Sequence, residues 1–380
     1  MMLKKRIISF LLVFSVFTML PLHAEAISDE EVKAPAAILM EAKTGKVLYE
    51  KNPDEKRPAA SITKVMTLLL VMEAIDSGTL SLEDTVTASA HAASMGGSDI
   101  WLKEGETMTV DDLIKATVIM SANDAAVALA EKVSGTEDDF VQRMNERAKE
   151  LGMENTTFQN CNGLDEDGHL TTARDVAIMS AELIKHPKIF DYTQTWIDYV
   201  RDGKTQLVNT NKLLKTYQGI TGLKTGTTGK AGSCITATAE RDGLSLIGVV
   251  LGSSNTADRF SSATALLDYG FANWAMAEPE IPELPEIPVA NAMRDTVAAE
   301  VSPSGELLVP KGKESEIVSE IQIDEAIEAP VEKGQTIGKV VYTLNGETVC
   351  EMEIHASESV ERMTFSSVFE LLLHSLISVE

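Results

Sequence analysis

Three cysteines in a chain of 380 residues, Cys161, Cys234 and Cys350, are odd in number and far apart. They supply neither a disulfide framework nor a Cys-x-x-Cys metal site, so they read as free thiols. The six histidines are scattered, with no His-Glu-x-x-His and no close pair. Gly-x-Ser-x-Gly and Walker-type glycine loops are missing too. These absences remove support for metal hydrolysis, Ser-His-Asp chemistry and nucleotide binding. Positive charge is also short: 33 Lys and Arg stand against 58 Asp and Glu, a formal net charge of −25. So acidic a surface repels phosphate backbones, which argues against nucleic acid, and disfavours purely electrostatic binding to anionic lipid. Beyond the N terminus no apolar run approaches the length of a spanning helix.

The N terminus itself reads as a secretory signal peptide over residues 1–26. Lys4, Lys5 and Arg6 precede the apolar run 7–22, and "AEA" at 24–26 supplies small residues for cleavage after Ala26. Export follows, to the outer face of the cytoplasmic membrane or the cell wall. The leader's three cations and single acid, Glu25, leave the remaining chain at −27.

The rest divides by composition. Residues 27–276 carry strand patterns at both ends and helical patterns between them. "PAAILMEAKTGKVLYE" at 35–50 reads as a hairpin, and "ITGLKTGTT", "SCITATAE" and "LSLIGVVLGS" read as an antiparallel meander. The fold class expected is α+β, helices packed on an antiparallel sheet. Acid- and proline-rich residues 277–288, "AEPEIPELPEIP", read as an extended linker. Residues 289–357 are rich in Val, Ile and Thr and predict a small all-β domain; 358–380 predict a helix.

Chemistry enters at "RPAASITKVMTLLLVMEAI", 57–75. Val65, Leu68, Leu69, Met72 and Ile75 follow a buried helical stripe. Two readings of Ser61 and Lys64 at its start stand side by side. Ser61 caps the helix and Lys64 is a solvated charge, or Ser61 is a nucleophile and Lys64, three residues on and on the same face, its base. Two more short motifs share the region. Ser121-Ala-Asn123 sits between two helical patterns, and Lys224-Thr225-Gly226 lies on a strand. Each alone reads equally well as a helix cap or a strand end. Their common order favours the catalytic reading. Of the other polar residues, Asp165, Asp167 and His169 in "GLDEDGH" read as a solvated turn, and Trp101 as core or as packing beside the site.

Ser-x-x-Lys, Ser-x-Asn and Lys-Thr-Gly in this order are the motif set of class A β-lactamases and penicillin-binding proteins. With "ASITKVMT", "SANDAAVALAE", "NGLDEDGHLTTARD" and "GLKTGTTGKAGSCITATAERDG", residues 30 to about 275 resemble the low-molecular-mass, penicillin-binding-protein 5-like D-alanyl-D-alanine carboxypeptidases. The resemblance implies a β-lactamase/transpeptidase-like fold and the peptidoglycan stem peptide as substrate. It implies β-lactam antibiotics as inhibitors of the same serine, and no cofactor. Ser61 would attack, Lys64 would take its proton and Ser121 would relay it. Asn123 would hold the substrate amide and Lys64. Lys224, Thr225 and Thr227 would receive the terminal carboxylate, and Gly226 would let an extended peptide lie along the strand. The backbone N–H groups of Ser61 and Thr227 would form the oxyanion hole. Thr227 stands where relatives often have an aromatic or histidine, and Ala122 where they often have glycine.

The three motifs alone do not separate this family from the class A β-lactamases. A lactamase also needs a glutamate on a Glu-x-x-Leu-Asn loop, and none lies between Ser121 and Lys224. A non-catalytic wall-binding protein on the same fold is the other alternative. At the C terminus, relatives use an amphipathic helix on the membrane surface. Residues 360–380 hold one fixed cation, Arg362, against Glu361, Glu370 and Glu380, where such a helix normally has a basic face. Peripheral membrane contact through 360–380 is expected, with packing on the β domain or on a partner as the rival.

Overall fold

The computed structural model describes residues 27–302, 305–323 and 327–377; the expected signal peptide lies outside them. Its centre is a five-stranded antiparallel sheet. β1 (Ala36–Glu41) and β2 (Val47–Lys51) form the expected hairpin, and β3 (Ile220–Thr228), β4 (Gly232–Arg241) and β5 (Leu244–Ser253) the meander. The order is β2-β1-β5-β4-β3, so chain start and chain end meet where β1 pairs with β5. β5 is central and covered on both faces, which explains a run apolar at almost every position.

Alternation along the strands feeds two cores. Ile38, Met40, Ile247 and Val249 face one; Ala37, Leu39, Leu246 and Val250 face the other. α6 (Thr256–Asn273) fills the second core, Ala263, Leu266 and Leu267 buried along it. The larger first core holds α1 (Lys64–Asp76), α2 (Val110–Lys115), α3 (Asn123–Ser134), α4 (Glu137–Glu150) and α5 (Ala173–Leu183). α1 is buried around most of its circumference rather than along one stripe, because α3, α4 and α5 all touch it. Fully burying each of its Leu, Val and Met side chains stabilises by about 1.5–3 kcal/mol.

Local signals set the helix ends. Thr109, Thr136, Thr172 and Asn255 each accept the N–H three residues on, at Asp112, Asp139, Asp175 and Asp258. The helix starting at Val110 does not run regularly to Met120. It widens to a π-turn over Ala116–Met120 and ends at Ser121, in the left-handed region at φ 64°.

Beyond α6, Trp274–Ala277 pairs with Leu307–Pro310. A four-stranded antiparallel sheet then runs in the order Ala299–Val301, Glu347–Ala356, Thr336–Leu344, Val318–Ile323. Its core includes Val297, Val340, Tyr342 and Ile354. This is the small all-β unit, and the α+β class holds for the whole. The last helix, α7, is Phe365–Ile377. It starts later than the expected 358–360 because Val360 bridges to Val331 and is buried in the β core. None of the described helices is long and apolar enough to cross a membrane.

Candidate active site

Ser61 lies in a 3-10 turn, Ala60–Thr63, that leads into α1 at Lys64. Thr63 occupies the helix N-cap and no side chain caps it, so Ser61 is not a capping residue. Ala60 is left-handed at φ 50°, and Gly163 explains why the turn is placed so tightly. A Cβ on Gly163 would stand 1.9 Å from the Ala60 carbonyl oxygen. Gly226 approaches from the other side, where a Cβ would stand 2.8 Å from the Ser61 nitrogen. Two glycines on distant segments thus clamp the Ser61 turn.

Lys64 is fully buried, and its Nζ reaches three oxygens: Ser61 Oγ at 3.1 Å, Asn123 Oδ1 at 2.5 Å and the Asn162 carbonyl at 2.7 Å. The solvated-charge reading of Lys64 is therefore excluded. Asn123 Nδ2 donates to Gly96 O at 2.6 Å, which fixes the amide with its oxygen toward Lys64. Neither amide oxygen nor carbonyl can donate. A neutral Lys64 must spend both N–H bonds on them, and its lone pair is left for the Ser61 hydroxyl. Burial pushes the Lys64 amine down to about 7, against the pull of the Asp99 and Asp124 carboxylates. Both protonation states are thus accessible near neutrality.

Ser121 follows the π-turn, and its buried Oγ has no hydrogen-bond partner among the described residues. Asn123, two residues on, starts α3 and links Ser-Ala-Asn to Lys64. Lys224 is buried on β3, its Nζ donating, among the described residues, only to Thr225 O at 3.1 Å. Burial above all, then the Lys64 and Arg259 charges, holds its pKa well below the ordinary lysine value. Thr225 Oγ1 donates to Thr210 at 2.7 Å; Thr227 is exposed at the end of the strand. All three motifs therefore converge, through Lys64–Asn123 on one side and Gly226–Ser61 on the other.

Four participants have no motif in the sequence. Arg259, buried on α6, places Nη1 3.3 Å from Gly226 O and 3.1 Å from Thr227 Oγ1. Gly163 and the Asn162 carbonyl come from one loop. His169 is the fourth, and it is not part of a solvated turn. It is buried, accepts from Gln159 N at Nδ1 (3.0 Å), and so donates from Nε2 to Thr63 Oγ1 at 2.7 Å. Burial pushes it down to about 4. Asp165 and Asp167 do lie exposed, meeting Thr228 and Lys230. Trp101 is not core: 73% of it is exposed.

A serine hydrogen-bonded to a buried lysine, in a turn packed against the edge strand of a five-stranded antiparallel sheet, defines a serine-type hydrolase. Residues 23–255 match the peptidase S11 family, D-alanyl-D-alanine carboxypeptidase, and 283–362 match the penicillin-binding protein 5 C-terminal domain. The chain belongs to this carboxypeptidase family, and it is a serine-type enzyme. It is 42% identical over 339 residues to D-alanyl-D-alanine carboxypeptidase DacF of Bacillus subtilis, covering 88% of this chain and 87% of that one. Penicillin-binding protein 5 from Haemophilus influenzae superposes with a TM-score of 0.79 at 31% identity, over 89% of this chain and 100% of that one. Penicillin-binding protein D2 from Listeria monocytogenes, solved in an ampicillin-bound form, gives 0.58 at 37% identity, over 63% and 98%.

Proposed function

We propose that the chain removes the terminal D-alanine from peptidoglycan stem pentapeptides through an acyl-enzyme on Ser61. The observation that carries this is the Lys64 amine, whose two acceptors leave its lone pair for Ser61 Oγ. Lys64 takes the hydroxyl proton as Ser61 attacks the carbonyl of the penultimate D-alanine. The unpartnered Ser121 hydroxyl passes a proton to the departing amine. Lys224, Thr225 and Thr227 receive the terminal carboxylate. The oxyanion is held by the N–H groups of Ser61, in a turn whose leading N–H groups lack helical acceptors, and of Thr227. Water then hydrolyses the ester, and the proton steps reverse. A β-lactam carries the same carboxylate and a strained amide, so it acylates Ser61 by the same route.

The enzyme works outside the cytoplasm after residues 1–26 direct export. α7 contacts the membrane surface peripherally. Phe365 (86% exposed) and Phe369 (53%) stack at 6.1 Å, and Met363 and Leu373 are exposed with them, an apolar surface with nothing against it among the described residues.

Residues 27–380 and a Ser61→Ala copy, each given a diacyl-Lys-D-Ala-D-Ala peptide, test the proposal. D-Alanine release by the first alone is expected. Release by neither, with no labelling of Ser61 by a fluorescent penicillin, would overturn it.

A further inference from the structure

Trp101 is 73% exposed, a large aromatic face given to solvent, yet its backbone is tightly held. Its φ of 57° lies in the left-handed region, which bulky residues avoid. The strain persists because both flanks are tied. Ile100 N and Leu102 N donate to the two carboxylate oxygens of Asp124, at 3.2 and 2.9 Å. Arg201 Nη1 donates to Ile100 O at 2.7 Å, and its Nε to Glu106 at 2.6 Å. Strained, over-determined backbone of this kind concentrates at functional sites.

The ties lead into the candidate active site. Asp124 adjoins Asn123, whose own N–H donates to Ser98 O at 2.6 Å in the same loop as Trp101. Arg201 stands at the tip of the hairpin Ile197–Val200/Thr205–Val208. Just beyond that hairpin, Thr210 meets Thr225 of Lys-Thr-Gly. One frame thus orients Asn123 and presents the indole. Trp101, Lys103, Glu104, Glu106 and Arg201 line an open cleft of about 620 Å³ there.

We propose that this cleft is a saccharide subsite. The indole stacks on the apolar face of a pyranose, and Lys103 and Glu104 at its edge bond the hydroxyl and acetamido groups. A single flat aromatic ringed by charged side chains suits a ring with an apolar face and a polar rim. It does not suit an apolar helix or lipid chain, which would need a continuous apolar surface. Resting on the carboxypeptidase reading, the sugar is the N-acetylated amino sugar that carries the stem peptide. At about 3.3 Å per residue, the three residues preceding the acylated D-alanine place that sugar on the order of 10 Å from Ser61.

Two measurements test this. The first is independent of catalysis: titration of the full chain with a peptide-free disaccharide of N-acetylated amino sugars, followed by isothermal calorimetry. Saturable binding that is lost in Trp101→Ala and kept in part by Trp101→Phe is expected. No binding to the unaltered chain, or equal binding by Trp101→Ala, would overturn the subsite. The second compares kcat/KM for a disaccharide-pentapeptide with that for the free pentapeptide. A preference of about tenfold that falls toward one in Trp101→Ala is expected for one stacking contact. A ratio already near one, or one unchanged by the substitution, would overturn the assignment. Saccharide binding without release of D-alanine from either substrate would uphold the subsite and sink the carboxypeptidase reading.

Discussion

The Nζ of Lys64 lies 3.1 Å from the Oγ of Ser61, with its other two contacts made to oxygens that have no proton to give. That asymmetry decides what the lysine does on losing its proton. The amine cannot turn its lone pair elsewhere without breaking two buried hydrogen bonds. On the proposed mechanism, a pKa of about 7 should make the acylation rate a titration of Lys64. Below it the ammonium has no lone pair, and the rate of Ser61 labelling by penicillin should fall with each drop in pH. Above it the rate should level off. Lys64→Arg, which cannot deprotonate, should lose acylation by roughly 10²–10⁴-fold at every pH. A labelling rate indifferent to pH across the neutral range would take the base role from Lys64.

Gly163 offers a test through shape. Its φ of 87° and the 1.9 Å approach of a Cβ to the Ala60 carbonyl are both backbone constraints, and neither yields to a rotamer change. Gly163→Ala should lower stability by on the order of 3 kcal/mol and displace the Ser61 turn. Denaturant unfolding and penicillin labelling of the variant read the two effects separately. Unchanged stability with full labelling would show that the turn is not clamped from this side.

Gly163 also marks the limit of what the sequence shows. Ser61, Lys64, Ser121, Asn123 and Lys224-Thr225-Gly226 were legible because each motif is contiguous and sits on an element with its own signal, such as the capping threonine at 109 or the meander of β3–β5. Their meeting in space was implied only by resemblance. Contacts made by backbone were illegible. The Asn162 carbonyl reaches Lys64 across 98 positions, and any residue has a carbonyl. Gly163 in "NCNGLD" carries no signal of its own. Arg259 leaves only a faint trace, a fixed cation beside the apolar positions Phe260, Ala263, Leu266 and Leu267. His169 reads as solvated because two acids and a glycine around it carry the composition of an exposed turn, while its imidazole turns inward to Thr63.

That inward turn predicts acid sensitivity. Buried His169 holds its pKa near 4, against 6.5 when unfolded. Between those values the unfolded chain binds a proton that the folded chain refuses. Its contribution to stability is therefore intact above pH 6.5 and is lost as pH falls toward 4, by up to about 3 kcal/mol. His169→Gln removes that titration. Its stability between pH 7 and 4.5 should decline less than that of the unaltered chain, although it starts lower for want of the Thr63 contact. Parallel declines would mean that His169 takes up its proton at the same pH in the folded and the unfolded chain.

Arg259 and Lys224 set the last expectation. Both are buried, burial lowers both pKa values, and neither has a carboxylate within ion-pair distance among the described residues. Two uncompensated cations at one end of β3 are costly, and an incoming carboxylate relieves that cost and raises the Lys224 pKa again. Arg259 also grips Gly226 O, so it fixes the strand that carries the site. A substrate ending in a carboxylate should be preferred over its C-terminal amide, and Arg259→Gln should shrink that preference by roughly 10–100-fold, mainly through KM. If Arg259 served only to hold β3 in place, both substrates would lose rate together and the preference would survive. The ratio between acid and amide, rather than the activity on either, therefore separates a charge that binds substrate from one that braces the fold.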